Sequence, residues 1–272
     1  MIRDPERFFS ELKKKRVGVV GLGVSHFALI RLMLKKGIGV TVLDKREMEA
    51  LGEDGRTLEK EGARFILGDG YLDALTSFDV LFRTPGMYFL SDALNKARAA
   101  GVSVVSEMEV FFDLCPCRVF AVTGSDGKTT TSTLISEFFK AEGKTVHLGG
   151  NIGRALLPQI EEIKPEDICV VELSSFQLIS MRQSPDVAVV TNVAPNHLDV
   201  HRDMQEYIDA KKNILLHQNG FSRTVLNFEN TVTREEMAPL VRGELCWFSK
   251  ERPVENGSFL RGDGMLCRVR HG

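Results

Sequence analysis

Short apolar runs recur along the chain, each closed by glycines or polar residues, and several lead into stretches of helical period. In the first part, the runs at 17–20, 40–43, 64–67, 80–82 and 102–105 read as strands. Asp4-Pro5-Glu6 opens a short helix with a cap, a first-turn proline and an acid near the positive end, and Phe8, Phe9 and Leu12 form its apolar side. Further helices are expected at about 26–36 and 90–100. After Cys115-Pro116-Cys117 the alternation restarts. Strands are expected at 119–122, 145–148, 168–171, 187–191 and 224–226. A helix after Gly127 shows Leu134, Ile135, Phe138 and Phe139 at helical spacing, which predicts one apolar face. Another starts at Asp203, with Glu206 at capping-box spacing, and ends at Asn219-Gly220. A short helix near 234–241 is kinked or ended by Pro239, and a hairpin pairs 259–260 with 265–269 about Gly262-Asp263-Gly264.

Alternating apolar strands and helices predict an α/β chain, and the restart at Cys-Pro-Cys divides it at residues 1–116 and 117–272. The first part opens as a doubly wound unit, with strand, Gly21-Leu22-Gly23, helix, strand and Asp44 in order. It is Rossmann-like, but His26 stands where a dinucleotide fingerprint has its third glycine. Asp44 lies where a ribose-binding acid would sit. A nucleotide fits this pattern better than NAD in particular.

Composition narrows the class. The chain has 272 residues, enough for one large or two medium domains, with 43% hydrophobic and 26% charged residues. A net charge of −2 gives no basic field for nucleic acid. No apolar run is long enough to span a membrane, and the N-terminus lacks a signal peptide's apolar core. Five scattered cysteines without secretory features fit reduced thiols in a cytoplasm. Cys115 and Cys117 read as part of a linker, with metal binding as the alternative.

The densest chemistry lies at Thr123-Gly124-Ser125-Asp126-Gly127-Lys128-Thr129-Thr130, between a buried strand and a helix. Glycines admit an anion to the backbone amides, and the helix end adds partial positive charge. A lysine reaches terminal phosphates, and the next hydroxyl can ligate magnesium. Only two residues separate Gly124 from Gly127, so this is a short variant of the P-loop, and 117–272 reads as a P-loop-type ATP-binding α/β domain. Glu172, closing an apolar strand, is either a magnesium ligand or a solvated strand-end acid. Lys211 falls on the apolar stripe of Tyr207, Ala210, Ile214 and Leu215, so it either snorkels to solvent or is buried for a reason.

Jointly these motifs resemble the Mur ligases of bacterial cell-wall synthesis. The resemblance rests on TGSDGKTTT, GGNIG at 149–153, VELSSFQL at 171–178, NHLD at 196–199 and YIDAK at 207–211, and covers nearly the whole chain. VELSSFQL points to the branch that adds D-glutamate. GLGVS at 21–25, LDKRE at 43–47, RTPGM at 83–87 and SEMEV at 106–110 look like its uridine-nucleotide region. The resemblance implies an ATP-dependent ligase with UDP-N-acetylmuramoyl-L-alanine, ATP and D-glutamate as substrates, acting as a monomer. It implies Lys128 on the ATP phosphates, Thr129 and Glu172 on one Mg²⁺, and His197 with Lys211, carbamylated by CO₂, on a second. It also implies Gly23, Val24, Ser25, Asp44, Arg46, Thr84, Pro85, Gly86 and Met87 at the sugar nucleotide, and Asn151 and Ser174 orienting substrate and phosphates. The family carries a third domain that positions the amino acid. The chain stops about where that domain would begin, so it is expected not to ligate D-glutamate at a useful rate by itself. The alternatives are a sister Mur or folylpolyglutamate-type ligase, or a nucleotide-binding regulator without catalysis.

Overall fold

A computed structural model describes residues 4–195 and 200–270. It divides into two compact units. Residues up to Leu114, with Arg154–Glu162, form the first, and Cys115–Gly153 with the residues from Ile163 on form the second.

The first unit runs α1 (Pro5–Leu12), β1 (Val17–Val20), α2 (Val24–Lys35), β2 (Val40–Asp44), α3 (Met48–Lys60), β3 (Arg64–Leu67), β4 (Val80–Arg83), α4 (Asp92–Ala99), β5 (Ser103–Val105) and α5 (Glu107–Leu114). Its sheet is parallel throughout, in the order β3-β2-β1-β4-β5. β1 is buried at every position, as a central strand covered on both faces must be. The order reverses at β1, so the carboxyl ends of β1, β2 and β4 open a crevice of the kind that takes ligands.

Two helices there escape the sequence pattern. α3 is broken at Gly52, whose φ of 64° interrupts the helical period. α5 buries Glu107 along with Met108, Val110, Phe111, Phe112 and Leu114, so its polar and apolar positions do not sort into two faces with a helical period. Its start is a capping box: Ser106 Oγ accepts from the Glu109 amide at 3.2 Å and Glu109 Oε2 accepts from the Ser106 amide at 2.8 Å.

The second unit runs β6 (Arg118–Thr123), α6 (Lys128–Ala141), β7 (Val146–Gly150), β8 (Ile168–Glu172), α7 (Ser175–Leu178), β9 (Val187–Val190), α8 (Met204–Leu216), β10 (Arg223–Asn227), β11 (Glu244–Ser249), β12 (Gly257–Leu260) and β13 (Leu266–Val269). The sheet order is β13-β12-β11-β10-β9-β6-β8-β7, and only β12 with β13 is antiparallel. β6 therefore sits between β9 and β8, and the loop leaving it emerges at the sheet's switch point.

Four expectations are corrected here. The buried face of α6 is small: Ser132 and Ser136 are buried, Phe139 packs edge-on against Phe120, and Leu134 and Phe138 stand exposed at 50% and 68%. The serines let the helix lie close to the sheet, so the leucine and phenylalanine one turn apart face away. β7 runs past the expected end at 148 through Gly149 and Gly150, which pair with Val171 and Glu172. α8 ends at Leu216, ahead of Asn219-Gly220. Its cap is half a box: Asp203 Oδ1 accepts from the Glu206 amide at 2.8 Å, but the Glu206 carboxylate turns back to the Arg202 amide and His201. The segment near 234–241 is a π turn, Thr233–Met237, followed by a 3-10 turn, Ala238–Leu240, which Pro239 permits in its first positions. Among the described residues no helix is long and apolar enough to cross a membrane.

Candidate functional site

The loop 123–128 joins β6 to α6. Gly124 has φ 151° and Gly127 φ 77°; at Gly124 a Cβ would run into Thr191 Oγ1. Glycine is required there for both conformation and space. The loop is fastened from β9 and the residues after it. Asn192 Oδ1 accepts from the amides of Ser125 at 3.1 Å and Asp126 at 2.9 Å, and Thr191 Oγ1 donates to the Asp126 carbonyl at 2.6 Å. Ser125 is buried; its Oγ donates to the Ala194 carbonyl at 2.8 Å and meets the Tyr207 hydroxyl at 2.9 Å. Thr123 is buried as well, donating to the Leu173 carbonyl at 2.8 Å. The side chains of Thr123 and Ser125 thus brace the loop from within. The outward face is the first turn of α6. No side chain caps that helix, so its leading amides point outward at its positive end.

Two lysines meet over this turn. Lys128 Nζ donates to the carbonyls of Gly124 at 3.0 Å and Ser125 at 2.9 Å. Lys211 Nζ, from α8, donates to the same Gly124 carbonyl at 3.0 Å and lies 4.6 Å from the centre of the Tyr207 ring. Lys211 is 1% exposed, which decides between snorkelling and burial in favour of burial. Burial first, and then the Lys128 charge, push its ammonium down from 10.5 to about 7. Lys128, a partly charged Lys211 and the bare helix end converge on this turn, a positive setting suited to a polyphosphate.

Beside the lysines lies Glu172, at the end of β8 and 1% exposed. Thr129 Oγ1 donates to its Oε2 at 2.8 Å, and Asn151 Nδ2 to its Oε1 at 2.9 Å. The Asn151 amide also donates to the Glu172 carbonyl at 2.8 Å. Gly150 makes this approach possible: with φ 102°, a Cβ there would strike the Glu172 carbonyl oxygen. Thr129, Glu172 and Asn151 are therefore together. Thr130 is exposed in the same helical turn. Ser174 is held in a capping box with Gln177 at the start of α7. His197 lies outside the described residues.

Sequence reasoning missed Asn192, Thr191 and Tyr207 as loop supports, because they reach the loop through strand order, which the sequence does not display. It also missed His201. That ring is buried, stacks on Phe176 at 5.1 Å, and joins Ser175 Oγ at 2.9 Å to Glu206 Oε2 at 3.3 Å.

In the first unit a cavity of about 660 Å³ opens at the strand ends, lined among others by Gly21, Gly23, Asp44, Arg46, Thr84, Gly86 and Met87. Pro85 lies between its lining residues. Val24 and Ser25 are the first residues of α2, directly after Gly23. Asp44 is buried and fully engaged: it accepts from the Leu22 amide at 2.8 Å, the Arg46 amide at 2.9 Å and the Arg46 guanidinium at 2.7 and 2.9 Å. Burial opposes ionisation, but these bonds win and hold its carboxyl below the usual range. His26 fills the third-glycine position, with Nδ1 2.7 Å from the Gly21 carbonyl. Arg83, named only within RTPGM, organises the 84–87 loop: its Nη1 donates to the Met87 carbonyl at 2.9 Å and the Thr84 carbonyl at 3.2 Å.

Against known proteins, residues 15–106 match the family profile "Mur ligase MurD-like, N-terminal domain", and residues 122–250 match "Mur ligase middle domain". A relative from Acetivibrio thermocellus, named UDP-N-acetylmuramoylalanine–D-glutamate ligase, is 49% identical over 261 residues, covering 96% of this chain and 56% of its own length. One of the same name from Clostridium botulinum is 50% identical over 266 residues, covering 98% and 58%. The chain thus spans a little over half the length of these curated relatives. Among solved structures, the UDP-N-acetylmuramate:L-alanyl-gamma-D-glutamyl-meso-diaminopimelate ligase of Neisseria meningitides matches with a TM-score of 0.60 at 17% identity, over 93% of this chain and 83% of its own. The UDP-N-acetylmuramate-alanine ligase of Thermotoga maritima matches with a TM-score of 0.51 at 21% identity, over 88% and 53%. These two matches show the fold.

Proposed function

The chain belongs to the Mur ligase family, and from that membership we propose that it serves the ATP-driven addition of D-glutamate to UDP-N-acetylmuramoyl-L-alanine, as a cytoplasmic monomer. The observation that carries this reading is the joint at the ends of β6 and β8. An uncapped helix end, two lysines on the Gly124 carbonyl and a buried Glu172 held by Thr129 and Asn151 stand together there.

In this reading residues 117–272 hold ATP and residues 1–116 hold the UDP-sugar. Lys128 exchanges its two loop carbonyls for phosphate oxygens, and the amides of Gly127 to Thr130 receive the rest of the phosphate charge. The oxygen donors of Thr129 and Glu172 suit Mg²⁺, and His197 with Lys211 would complete a second site. Bound there, the ions offset the repulsion between a carboxylate and the polyphosphate. Lys211 would serve as a carbamate: its amine, kept partly neutral by burial, adds to CO₂ and releases a proton, giving an anionic oxygen ligand. The alanyl carboxylate oxygen then attacks the γ-phosphorus and ADP leaves. The amine of D-glutamate attacks the resulting acyl phosphate at its carbonyl carbon, and phosphate departs with the bridging oxygen.

The cavity at the ends of β1, β2 and β4 favours a UDP-sugar over NAD. Asp44 has its oxygens committed to Leu22 and Arg46, so the acid that would receive a ribose hydroxyl is already satisfied. The Arg46 side chain, 42% exposed, carries positive charge to the rim for a diphosphate. In a thermal-unfolding comparison, UDP-N-acetylmuramoyl-L-alanine is expected to raise the midpoint by mass action and NADH to leave it unmoved. Stabilisation by NADH alone would overturn this assignment.

A further inference from the structure

Three cysteines come together at the end of the second sheet away from the phosphate loop. Cys115 and Cys117 lead into β6, and Cys169 is the second residue of β8, beside Val119 in register. Their Sγ–Sγ separations are 3.7 Å for Cys115–Cys117, 3.8 Å for Cys115–Cys169 and 3.4 Å for Cys117–Cys169. All three are at most 3% exposed, and none forms a disulfide. The length of β6, roughly 20 Å at strand rise, separates them from Thr123, so the phosphate site does not use them.

A closed triangle of sulfurs is a more demanding arrangement than a buried thiol serving as a small apolar side chain. Zn²⁺ bound tetrahedrally by thiolates at about 2.3 Å sets sulfurs about 3.8 Å apart. The triangle is close to one face of that tetrahedron. A further donor lies on the neighbouring strand, outside the 4.8 Å cluster that the three sulfurs form. His147 pairs with Cys169 across β7 and β8, which puts the two side chains on the same sheet face. Its Nε2 is 2.9 Å from Asp167 Oδ2, and Asp167 is itself fixed by the Lys164 amide at 3.0 Å. A histidine steadied at one nitrogen by a carboxylate leaves the other for a metal.

We propose that Cys115, Cys117 and Cys169 form a thiolate site for a soft cation of the Zn²⁺ class, whose fourth position His147 would take by a side-chain movement across the β7–β8 pair. Soft sulfur donors select such ions over Mg²⁺. The site is buried, so the cation would be structural, tying the entry to β6 onto β8 at the end of these strands opposite the phosphate loop. An entering cation would displace the thiol protons and take the thiolates.

The test is titration of the reduced, chelator-treated 272-residue chain with Co²⁺, followed by thiolate-to-cobalt charge-transfer absorbance, then displacement by Zn²⁺ with native mass spectrometry. One cation per chain is expected, with a Kd of about 1 µM or tighter for Zn²⁺. Cys117→Ala and Cys169→Ala are each expected to abolish the band, and Cys246→Ser with Cys267→Ser to leave it intact. His147→Ala, at a partly exposed position, is expected to weaken Zn²⁺ roughly 10- to 100-fold while the chain stays folded by circular dichroism. A wild-type chain that shows no band and carries no zinc overturns the site. Full binding by folded Cys117→Ala or Cys169→Ala overturns the ligand set, and unchanged affinity in His147→Ala removes the fourth ligand.

Discussion

Lys128→Ala is expected to weaken Mg·ATP binding about 10- to 150-fold, the range for losing one charge-assisted hydrogen bond. The side chain now spans the Gly124 and Ser125 carbonyls, so it is already aimed over the turn and pays little entropy to engage a phosphate. Without it, Lys211 remains the only one of the two cations on the Gly124 carbonyl, and Lys211 is committed to the buried side of the loop. Lys128→Arg keeps the charge but replaces a compact ammonium with a planar fork, and is expected to fall between wild type and alanine. Calorimetric titration of each protein with Mg·ATP reads the effect, and an alanine variant with wild-type affinity would remove Lys128 from the phosphate site.

Lys211→Met is expected to do two opposite things: stabilise the folded chain and abolish the proposed chemistry. A lysine lowered from 10.5 to about 7 costs the fold about 5 kcal/mol as a ceiling, and replacement of a buried charge by an apolar side chain of similar volume commonly returns about 1–4 kcal/mol. The sign with pH follows from linkage. Between about pH 7 and 10.5 the unfolded chain holds a proton on Lys211 that the folded chain has lost, so wild-type stability gains from this group as pH rises through that window. Below about pH 7 both states are protonated and the full cost stands. The methionine variant lacks this contribution, so the stability difference between the two proteins should shrink from pH 7 towards pH 10. Urea titrations at matched pH measure it. A variant less stable than wild type at neutral pH, or a difference that grows with pH, contradicts the account of Lys211 as a destabilised, partly neutral amine.

The elements and the residues differ in how far the sequence displays them. The central strands were legible because each is a short, almost wholly apolar run between turn residues, the mark of parallel strands covered on both faces. The phosphate-loop joint was legible because its parts are consecutive. α5 was hidden because it is buried on most sides with Glu107, Glu109 and Asp113 interleaved among its apolar residues, and α6 misled because serines, not Leu134 and Phe138, face the sheet. For Lys211 the sequence offered two readings, and only the packing of α8 against the loop chooses burial. Asn192 and Thr191 were invisible as loop supports because β9 lies beside β6 only after the sheet is ordered. The cysteine triangle is not legible from Cys115 and Cys117, which the sequence leaves between linker and metal site; Cys169 arrives only through the pairing of β8 with β6.

The central claim is that ATP activates the alanyl carboxylate as an acyl phosphate. It is tested most directly with UDP-N-acetylmuramoyl-L-alanine carrying ¹⁸O in both carboxylate oxygens, incubated with this chain, Mg·ATP and hydroxylamine as a small amine. Hydroxylamine needs no amino-acid site, so the readout concerns activation alone. The account predicts ATP-dependent hydroxamate, with one ¹⁸O atom carried into each released phosphate, because the oxygen that attacked phosphorus leaves with it. Phosphate without label, or no hydroxamate above a blank lacking ATP, would contradict it.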